Sequence, residues 1–331
     1  MASLLDPAIL FFFFGVAAAL VRSNLEIPGA LAKFFSLYLL LAIGFKGGVA
    51  LSETGITREA ATAVALGIAF AFAVPMWSYA ILKRRLAAFD AAAVAAAYGS
   101  VSAVTFITAG AFAARQGVSA GGHMALALAL METPAILMAI VLANRARRAV
   151  APAAVGAGAT PDGRVPAGIS AVLVEAFTDG AHLMLLGSIA IGALTGTAGK
   201  ATIDPLITGL FKGILLFFLL DMGLVVGRRL REARSLPPFL VGFALLMPMV
   251  HAALALLAGR LLGITPGDAF LLAVLVASAS YIVVPAVVRY AIPEANPAYY
   301  FGMALAVTFP FNIAIGLPLY FGAMTWLWGS G

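Results

Sequence analysis

The sequence predicts an all-α polytopic membrane protein, with about ten transmembrane helices in two inverted repeats of five and an interruption in two of the helices. Three observations lead to this fold. Of the 331 residues, 63% are hydrophobic and only 10% are charged, and the mean hydropathy is +1.07. Apolar stretches of about 20 residues, the length of a bilayer-spanning helix, recur along the chain. A short pattern of small and hydroxyl residues occurs once in each half of the chain.

Each apolar stretch is a predicted transmembrane helix. In chain order the stretches are 7–22, 27–51, 59–82, 87–113, 122–144, 168–195, 203–227, 236–262, 268–290 and 297–327. No basic residue precedes the first stretch, so we expect a retained helix and not a cleaved signal peptide. The sixth stretch is overlong and contains charged residues, so its first part is expected to be an interfacial helix. Residues 149–167, rich in Ala, Gly and Pro, are a predicted linker between repeats at 1–148 and 168–331.

The distribution of Lys and Arg predicts the orientation of the chain. The connections after the first, third, fifth, seventh and ninth spans hold thirteen of these residues, and the other connections hold four. Connections rich in positive charge stay on the cytoplasmic side. We therefore expect linker 149–167 in the cytoplasm and both termini outside, in a bacterial cytoplasmic (inner) membrane. The formal net charge of +6 then requires no nucleic-acid partner.

The two halves of the chain carry matching residues in the same order. Five spans per half is an odd number, so the second half enters the membrane from the opposite side, as in the inverted repeats of secondary transporters. The glycines in the matching set are expected to allow close helix packing, and the aspartates to cap their helices. The pairs are Ser100 and Ser278, Ser102 and Ser280, and Asp90 and Asp268 at an offset of 178, with Lys33 and Lys212, Gly44 and Gly223, and Gly48 and Gly227 at 179.

The two serine-containing interruptions are the predicted substrate site of a secondary transporter. Each helix is expected to break there, with a second half-helix beginning at Ser102 or Ser280 and directing free N–H groups at an anion. The alternative is structural, because a hydroxyl also bonds back to a carbonyl and small residues mark tight packing. The absence of arginine from the middle of any span favours a small monoanion. The candidate substrate-binding residues are Gly99, Ser100, Val101, Ser102, Ala103, Val104, Thr105, Ser278, Ala279, Ser280 and Tyr281.

Charged and amide side chains inside the spans are candidates for ion coupling. Because intramembrane charges are costly, they are usually functional. Lys46 and Asp221 either pair with each other as structure, or Asp221 serves a cation. Oxygen ligands suit a hard cation, so Glu132, Asp221 and Asn312 are the candidate sodium ligands.

No catalytic chemistry is predicted. The three histidines show no metal-ligand spacing, and no nucleotide-binding or triad-like motif is present. We therefore expect neither an enzyme nor an ATP-driven pump, and no cofactor beyond Na⁺ as the coupling ion.

At this point the sequence resembles a known family. The run Tyr98-Gly99-Ser100-Val101-Ser102-Ala103-Val104-Thr105-Phe106, with Ile43-Gly44-Phe45-Lys46-Gly47-Gly48 before it, is similar to the sodium-dependent bicarbonate symporters of cyanobacteria (SbtA type). The resemblance covers nearly the whole chain. It implies a homotrimer, core and gate domains interleaved across both repeats, and bicarbonate and sodium bound where the interrupted helices meet. It also implies a PII-like regulatory protein on the cytoplasmic side.

The sequence and the resemblance together predict a secondary-active sodium-dependent bicarbonate symporter that works by alternating access. Its expected partners are bicarbonate, sodium and membrane lipid. Three alternatives stay open: sodium- or proton-coupled import of another small monoanion, an anion channel, and a ligand-sensing membrane scaffold. Saturable, sodium-dependent uptake separates a symporter from a channel.

Overall fold

The computed structural model describes residues 7–150, 174, 178–233 and 236–329, and these contain helices and no strand. The helices, in order, are α1 (Pro7–Leu20), α2 (Gly29–Thr54), α3 (Arg58–Leu82), α4 (Ala88–Gly99), α5 (Ala103–Arg115), α6 (His123–Val150), α7 (Gly180–Asp204, extended by a π-helical turn, Pro205–Gly209), α8 (Phe211–Ala233), α9 (Pro238–Leu261), α10 (Pro266–Ala277), α11 (Val283–Ala291) and α12 (Pro297–Trp328, with π-helical turns at Met303–Thr308 and Asn312–Gly316).

Seven helical segments of the described chain are long and apolar enough to cross a membrane: Gly29–Thr54, Arg58–Leu82, Ala88–Arg115, His123–Arg147, Gly180–Gly209, Pro238–Leu261 and Pro297–Trp328. The prediction of a helical protein with several membrane spans is confirmed. The predicted first and ninth spans correspond to shorter apolar helices, α1 and α10, and α8 carries Lys212, Asp221 and Arg228. The count of ten spans in inverted repeats therefore stays a prediction.

The largest shift from the predicted boundaries lies between the sixth and seventh stretches. Helix α7 begins at Gly180, where the Asp179 carboxylate accepts hydrogen bonds from the N–H groups of Ala181 and His182 at 3.0 and 3.1 Å. The helix then continues through Pro205 to Gly209, so the boundary with α8 falls later than predicted. Helix α6 extends to Val150, which makes the first residues of the predicted linker helical. The rest of the linker, 151–167, lies outside the described residues, as does most of the expected interfacial helix.

The repeated glycines pack helices closely, as predicted. A Cβ atom at Gly48 of α2 would lie 2.0 Å from the carbonyl oxygen of Ile189 in α7. A Cβ atom at Gly223 of α8 would lie 2.1 Å from the carbonyl oxygen of Phe12 in α1. In both places two backbones meet without side chains between them, which explains why only glycine fits.

The interrupted segments lie at the centre of the bundle. In the most apolar stretch of Ala88–Arg115, 94% of the residues are buried, compared with 28% in Gly180–Gly209. The peripheral helices instead expose large apolar side chains such as Phe14, Leu194 and Trp326, as expected for a surface that faces lipid. Because irregular backbone at membrane depth is tolerated only inside protein or around a cavity, the burial of the interrupted segments permits their breaks.

Candidate functional site

The first break separates α4 from α5 and is capped by Ser102. Helix α4 ends at Gly99, and α5 begins at Ala103. The Ser102 hydroxyl oxygen accepts a hydrogen bond from the N–H of Thr105 at 3.2 Å and another from the Thr105 hydroxyl at 2.9 Å. The N–H groups of Ala103 and Val104 belong to the first turn, which has no intrahelical acceptor. The prediction of a half-helix starting at Ser102 is confirmed.

The second break is longer than predicted. Helix α10 ends at Ala277 and α11 begins at Val283, so the expectation of a helix starting at Ser280 is wrong by a few residues. The reason is a backbone contact between the halves, since the N–H of Ser280 donates to the carbonyl of Ala97 at 2.8 Å. The Ser280 hydroxyl still acts near the helix start, accepting a hydrogen bond from the N–H of Val284 at 3.2 Å.

The two breaks bond directly to each other. The N–H of Ser102 donates to the Ser278 hydroxyl at 2.9 Å, and the hydroxyl of Ser102 lies 3.5 Å from that of Tyr281. Together with the bond from Ser280 to Ala97, these contacts hold the irregular backbone of one half against that of the other. Ser102 of the first break and Ser278 of the second are thus neighbours in space.

Asp90 and Asp268 also join the halves, so the expectation that they cap their own helices is wrong. The Asp90 carboxylate accepts a hydrogen bond from the N–H of Asn296 at 2.7 Å, and Asp268 accepts one from Gly121 at 2.6 Å. Each aspartate therefore fixes the connection before a helix of the opposite half. His123 Nε2 also lies 3.0 Å from the Asp268 Oδ2 atom.

A cavity of about 70 Å³ lies between the breaks. A buried water needs roughly 10–15 Å³ by this measure, so the cavity has room for about five waters, or for an anion of a few non-hydrogen atoms. Its walls are formed by Ser36, Leu40, Val101, Ser102, Ala103, Val104, Ile107, Leu128, Glu132, Ala181, His182, Leu185, Phe218, Ser280, Tyr281, Ile282 and Val283.

An acidic and a basic side chain face each other in the cavity wall. His182 Nδ1 of α7 lies 2.9 Å from the Glu132 Oε2 atom of α6. The side chains are 5% and 15% exposed, so the pair is shielded from bulk water. Because Ser102 and Ser280 line the same cavity, its wall combines two hydroxyl groups with a carboxyl and an imidazole group.

The cavity includes some of the predicted substrate-binding residues and excludes others. The residues that line it are Val101, Ser102, Ala103, Val104, Ser280 and Tyr281, and those that do not are Gly99, Ser100, Thr105, Ser278 and Ala279. Gly99 instead packs on Pro75, whose Cγ atom would lie 2.1 Å from an added Cβ. The Ser100 hydroxyl is buried away from the cavity, without a hydrogen-bond partner among the described residues.

The three candidate sodium ligands do not come together around the cavity. Only Glu132 lines it. The Asn312 side chain donates to the carbonyl of Ala277 at 3.0 Å and accepts from the Tyr320 hydroxyl at 2.8 Å, so it supports the end of α10. In the described part of the chain, no group of three or more His, Cys, Asp or Glu residues could hold a metal ion. A sodium role for these residues stays a prediction.

Lys46 and Asp221 occupy different environments. The Lys46 ammonium lies 5.1 Å from the ring centroid of Phe211, and the charge of Asp221 interacts with that of Arg228. The structure shows no ion pair between Lys46 and Asp221, so the interpretation of the two as a structural pair is wrong.

Sequence reasoning missed His182. The residue lies in a stretch whose first part is predicted to be interfacial. It is fifty positions from Glu132 in the chain, so no local spacing predicted that the two side chains meet. One signal was available: His182 comes three residues after Asp179 and before a long apolar run, which places an ionisable side chain inside the membrane.

Apolar helices of spanning length, two central helix breaks and a small cavity between them are the features of a multi-pass membrane transporter. The model of the Na⁺-dependent bicarbonate transporter superfamily matches residues 7–325. The chain therefore belongs to this superfamily. No curated protein matches the chain.

Proposed function

We propose that this protein is a secondary-active Na⁺/bicarbonate symporter that binds its anion in the cavity between the two breaks and works by alternating access. The observation that carries the proposal is the composition of the cavity wall. Both breaks contribute to it, and so do the Ser102 and Ser280 hydroxyls and the Glu132–His182 pair.

The start of α5 provides the anion-binding groups. The N–H groups of Ala103 and Val104 have no intrahelical acceptor, and the positive end of the helix dipole points into the cavity. Helix N-termini bind small anions in this way without an arginine. The Ser280 hydroxyl, from the other half, is an additional donor for the anion.

Glu132 gives a physical reason for sodium dependence. A bicarbonate ion at ~5 Å from a carboxylate is repelled by about 3 kcal/mol at an effective dielectric constant of ~20. A sodium ion at the Glu132 carboxylate removes this repulsion, so that the anion binds well only when sodium is also bound. Sodium also cancels the electrical cost of moving a monoanion into a negative interior, roughly 2.3 kcal/mol for each 100 mV.

The His182–Glu132 pair favours one alternative, in which a proton replaces sodium. A proton on His182 would neutralise the same carboxylate. An import driven by a pH gradient without sodium, and lost in a His182→Gln variant, would support this alternative. The other two alternatives are an anion channel, whose uptake would follow the membrane potential without saturating, and a ligand-sensing scaffold, which would bind bicarbonate without transporting it.

The proposed architecture places ten spans in two inverted repeats, with both termini outside a bacterial cytoplasmic membrane. The hydrogen bonds of Asp90 and Asp268 to opposite halves support the repeat. Labelling of single cysteines with an impermeant reagent tests the orientation, because the chain has no cysteine of its own. In intact cells, Ser119→Cys should react and Ala157→Cys should be protected. The reverse result would overturn the topology.

The resemblance to the symporter family also leads us to propose a homotrimer and a PII-like cytoplasmic regulator. Both proposals have direct tests. The mass of the detergent-solubilised protein tests the trimer, and co-purification with a PII-like protein added in excess tests the regulator.

Radiolabelled bicarbonate uptake into proteoliposomes tests the proposed function. An inward sodium gradient should drive saturable uptake, and replacement of sodium by choline should abolish it. A tenfold sodium gradient supplies about 1.4 kcal/mol, which is enough for a roughly tenfold accumulation at one sodium per bicarbonate. Uptake of equal rate in choline would refute the sodium symporter.

A further inference from the structure

A second, larger cavity of about 680 Å³ follows the anion cavity along the same helices. On α2, the small cavity contacts Leu40 and the large one contacts Ile43, about one turn further along. On α5, the corresponding contacts are Val104 and Gly110. Helix α6 lines both cavities as well. The two cavities are therefore consecutive chambers along one path.

Ile107 stands between the two chambers. Among the described residues, it is the only one that lines both cavities, and its side chain is 2% exposed. An apolar side chain at this point separates the water of the large chamber from the anion cavity. A rotation of this side chain or a small shift of α5 would connect them.

Basic side chains dominate the charge of the large chamber. Lys46 and Lys212 line it, and among the residues that the structure describes no Asp or Glu does. Asp204 and Lys200 are close enough to act on the charge of Lys46 with opposite signs, and Asp204 has the larger effect. Arg115 and Lys212 also line an adjoining cavity of about 280 Å³. The chamber therefore carries an excess of positive charge.

The chamber explains how a lysine can be tolerated within a span. An ammonium group inside the membrane is costly unless it faces a water-filled cavity or a partner. Lys46 faces the 680 Å³ chamber, which by the measure used above has room for tens of water molecules. Its ammonium lies 5.1 Å from the ring centroid of Phe211, which also lines the chamber.

We propose that this chamber is a basic vestibule, defined by Lys46 and Lys212, that binds small hydrated inorganic anions and passes them to the anion cavity across Ile107. A cleft lined by one sign of charge raises the local concentration of counter-ions and their on-rate by roughly 10- to 1,000-fold at low ionic strength. The vestibule is too large to hold one small anion tightly, so it attracts anions while the inner cavity selects among them. Only the delivery step rests on the proposed function, since the anion attraction follows from the charges alone.

A reactive cysteine in the vestibule tests the proposal without any transport. In the cysteine-free chain, Ala111→Cys places a thiol on the vestibule wall formed by α5. The reaction rates of an anionic methanethiosulfonate (ethylsulfonate) and a cationic one (ethyltrimethylammonium) are measured on the solubilised protein at low salt. Relative to a free thiol, the anionic reagent should be favoured by tenfold or more, and this preference should fall as salt is added.

Removal of the charges completes the test. In the Ala111→Cys background, Lys46→Gln with Lys212→Gln should reduce the preference for the anionic reagent several-fold. Lys33→Gln is the matched control, because it removes a charge from α2 at a residue that lines neither cavity, and it should leave the preference unchanged. An equal preference in all variants, or no reaction with either reagent, would overturn the vestibule. Loss of sodium-dependent uptake with an intact labelling preference would instead refute the proposed function and leave the vestibule standing.

Discussion

Replacement of Ser102 by alanine is the sharpest test of the anion cavity. The Ser102 hydroxyl lines the cavity and caps α5 through the Thr105 N–H. Its loss removes one hydrogen bond to the anion, worth about 1 kcal/mol, which corresponds to a roughly fivefold rise in the bicarbonate concentration for half-maximal uptake. The first-turn N–H groups of Ala103 and Val104 remain, so transport should continue. Loss of the cap should also lower the free energy of unfolding by about 1 kcal/mol.

The assay is the concentration dependence of bicarbonate uptake into proteoliposomes at saturating sodium. Ser100→Ala and Ser78→Ala are matched controls, because both serines are buried, neither lines the cavity, and their hydroxyls have no hydrogen-bond partner in the described chain. Both controls should keep the parental half-saturation. An unchanged half-saturation in Ser102→Ala, or an equal rise in Ser100→Ala, would refute the assignment of the cavity.

A bulky change at the same place is a second, independent arm of this prediction. The cavity of about 70 Å³ cannot hold two leucine side chains and an anion, so Ser102→Leu combined with Ser280→Leu should abolish uptake. Monodisperse elution of the solubilised variant would show that it folds and assembles. Bicarbonate transport in such a folded double variant would place the anion elsewhere.

Two further predictions concern coupling and packing. Glu132→Gln should raise the sodium concentration for half-maximal uptake more than it lowers thermal stability, because it removes the carboxylate of the cavity. Asp221→Asn tests the second candidate ligand in the same assay. An unchanged sodium dependence in both variants would exclude both residues as sodium ligands. Gly48→Ala should lower the melting temperature, since its Cβ would lie 2.0 Å from the Ile189 carbonyl oxygen. The control Gly213→Ala, whose Cβ would have nothing within 4 Å, should leave the melting temperature unchanged or raise it. Equal melting temperatures in the two variants would contradict the close packing of α2 on α7.

Hydropathy determined the helical class of this protein, because a bilayer requires each span to satisfy its own backbone hydrogen bonds. The repeated serine pattern located both breaks, and the start of α5 followed from the capping preference of Ser102. These features are local, since they depend on neighbouring residues and on the membrane as solvent. They could therefore be read from the sequence.

Tertiary structure decided which residues form the cavity. Ser100 and Ser102 have the same residue type and neighbouring positions, yet only Ser102 lines the cavity, because an irregular backbone points successive side chains in directions that no helical period predicts. The shifted start of α11 has a similar cause, since the N–H of Ser280 is taken by the carbonyl of Ala97 in the other half.

The charged groups show the same division. Their presence within spans could be recognised from the sequence, because charged side chains are costly in a membrane and therefore rare in its spans. Their partners could not be predicted from the sequence, because pairs such as Glu132 and His182 are formed by helices far apart in the chain. Likewise, Lys46, Arg115 and Lys212 line one chamber only because of how α2, α5 and α8 pack. The sequence alone thus determined the membrane fold class and the places of the breaks, while only the packing of distant helices decided which side chains share a cavity.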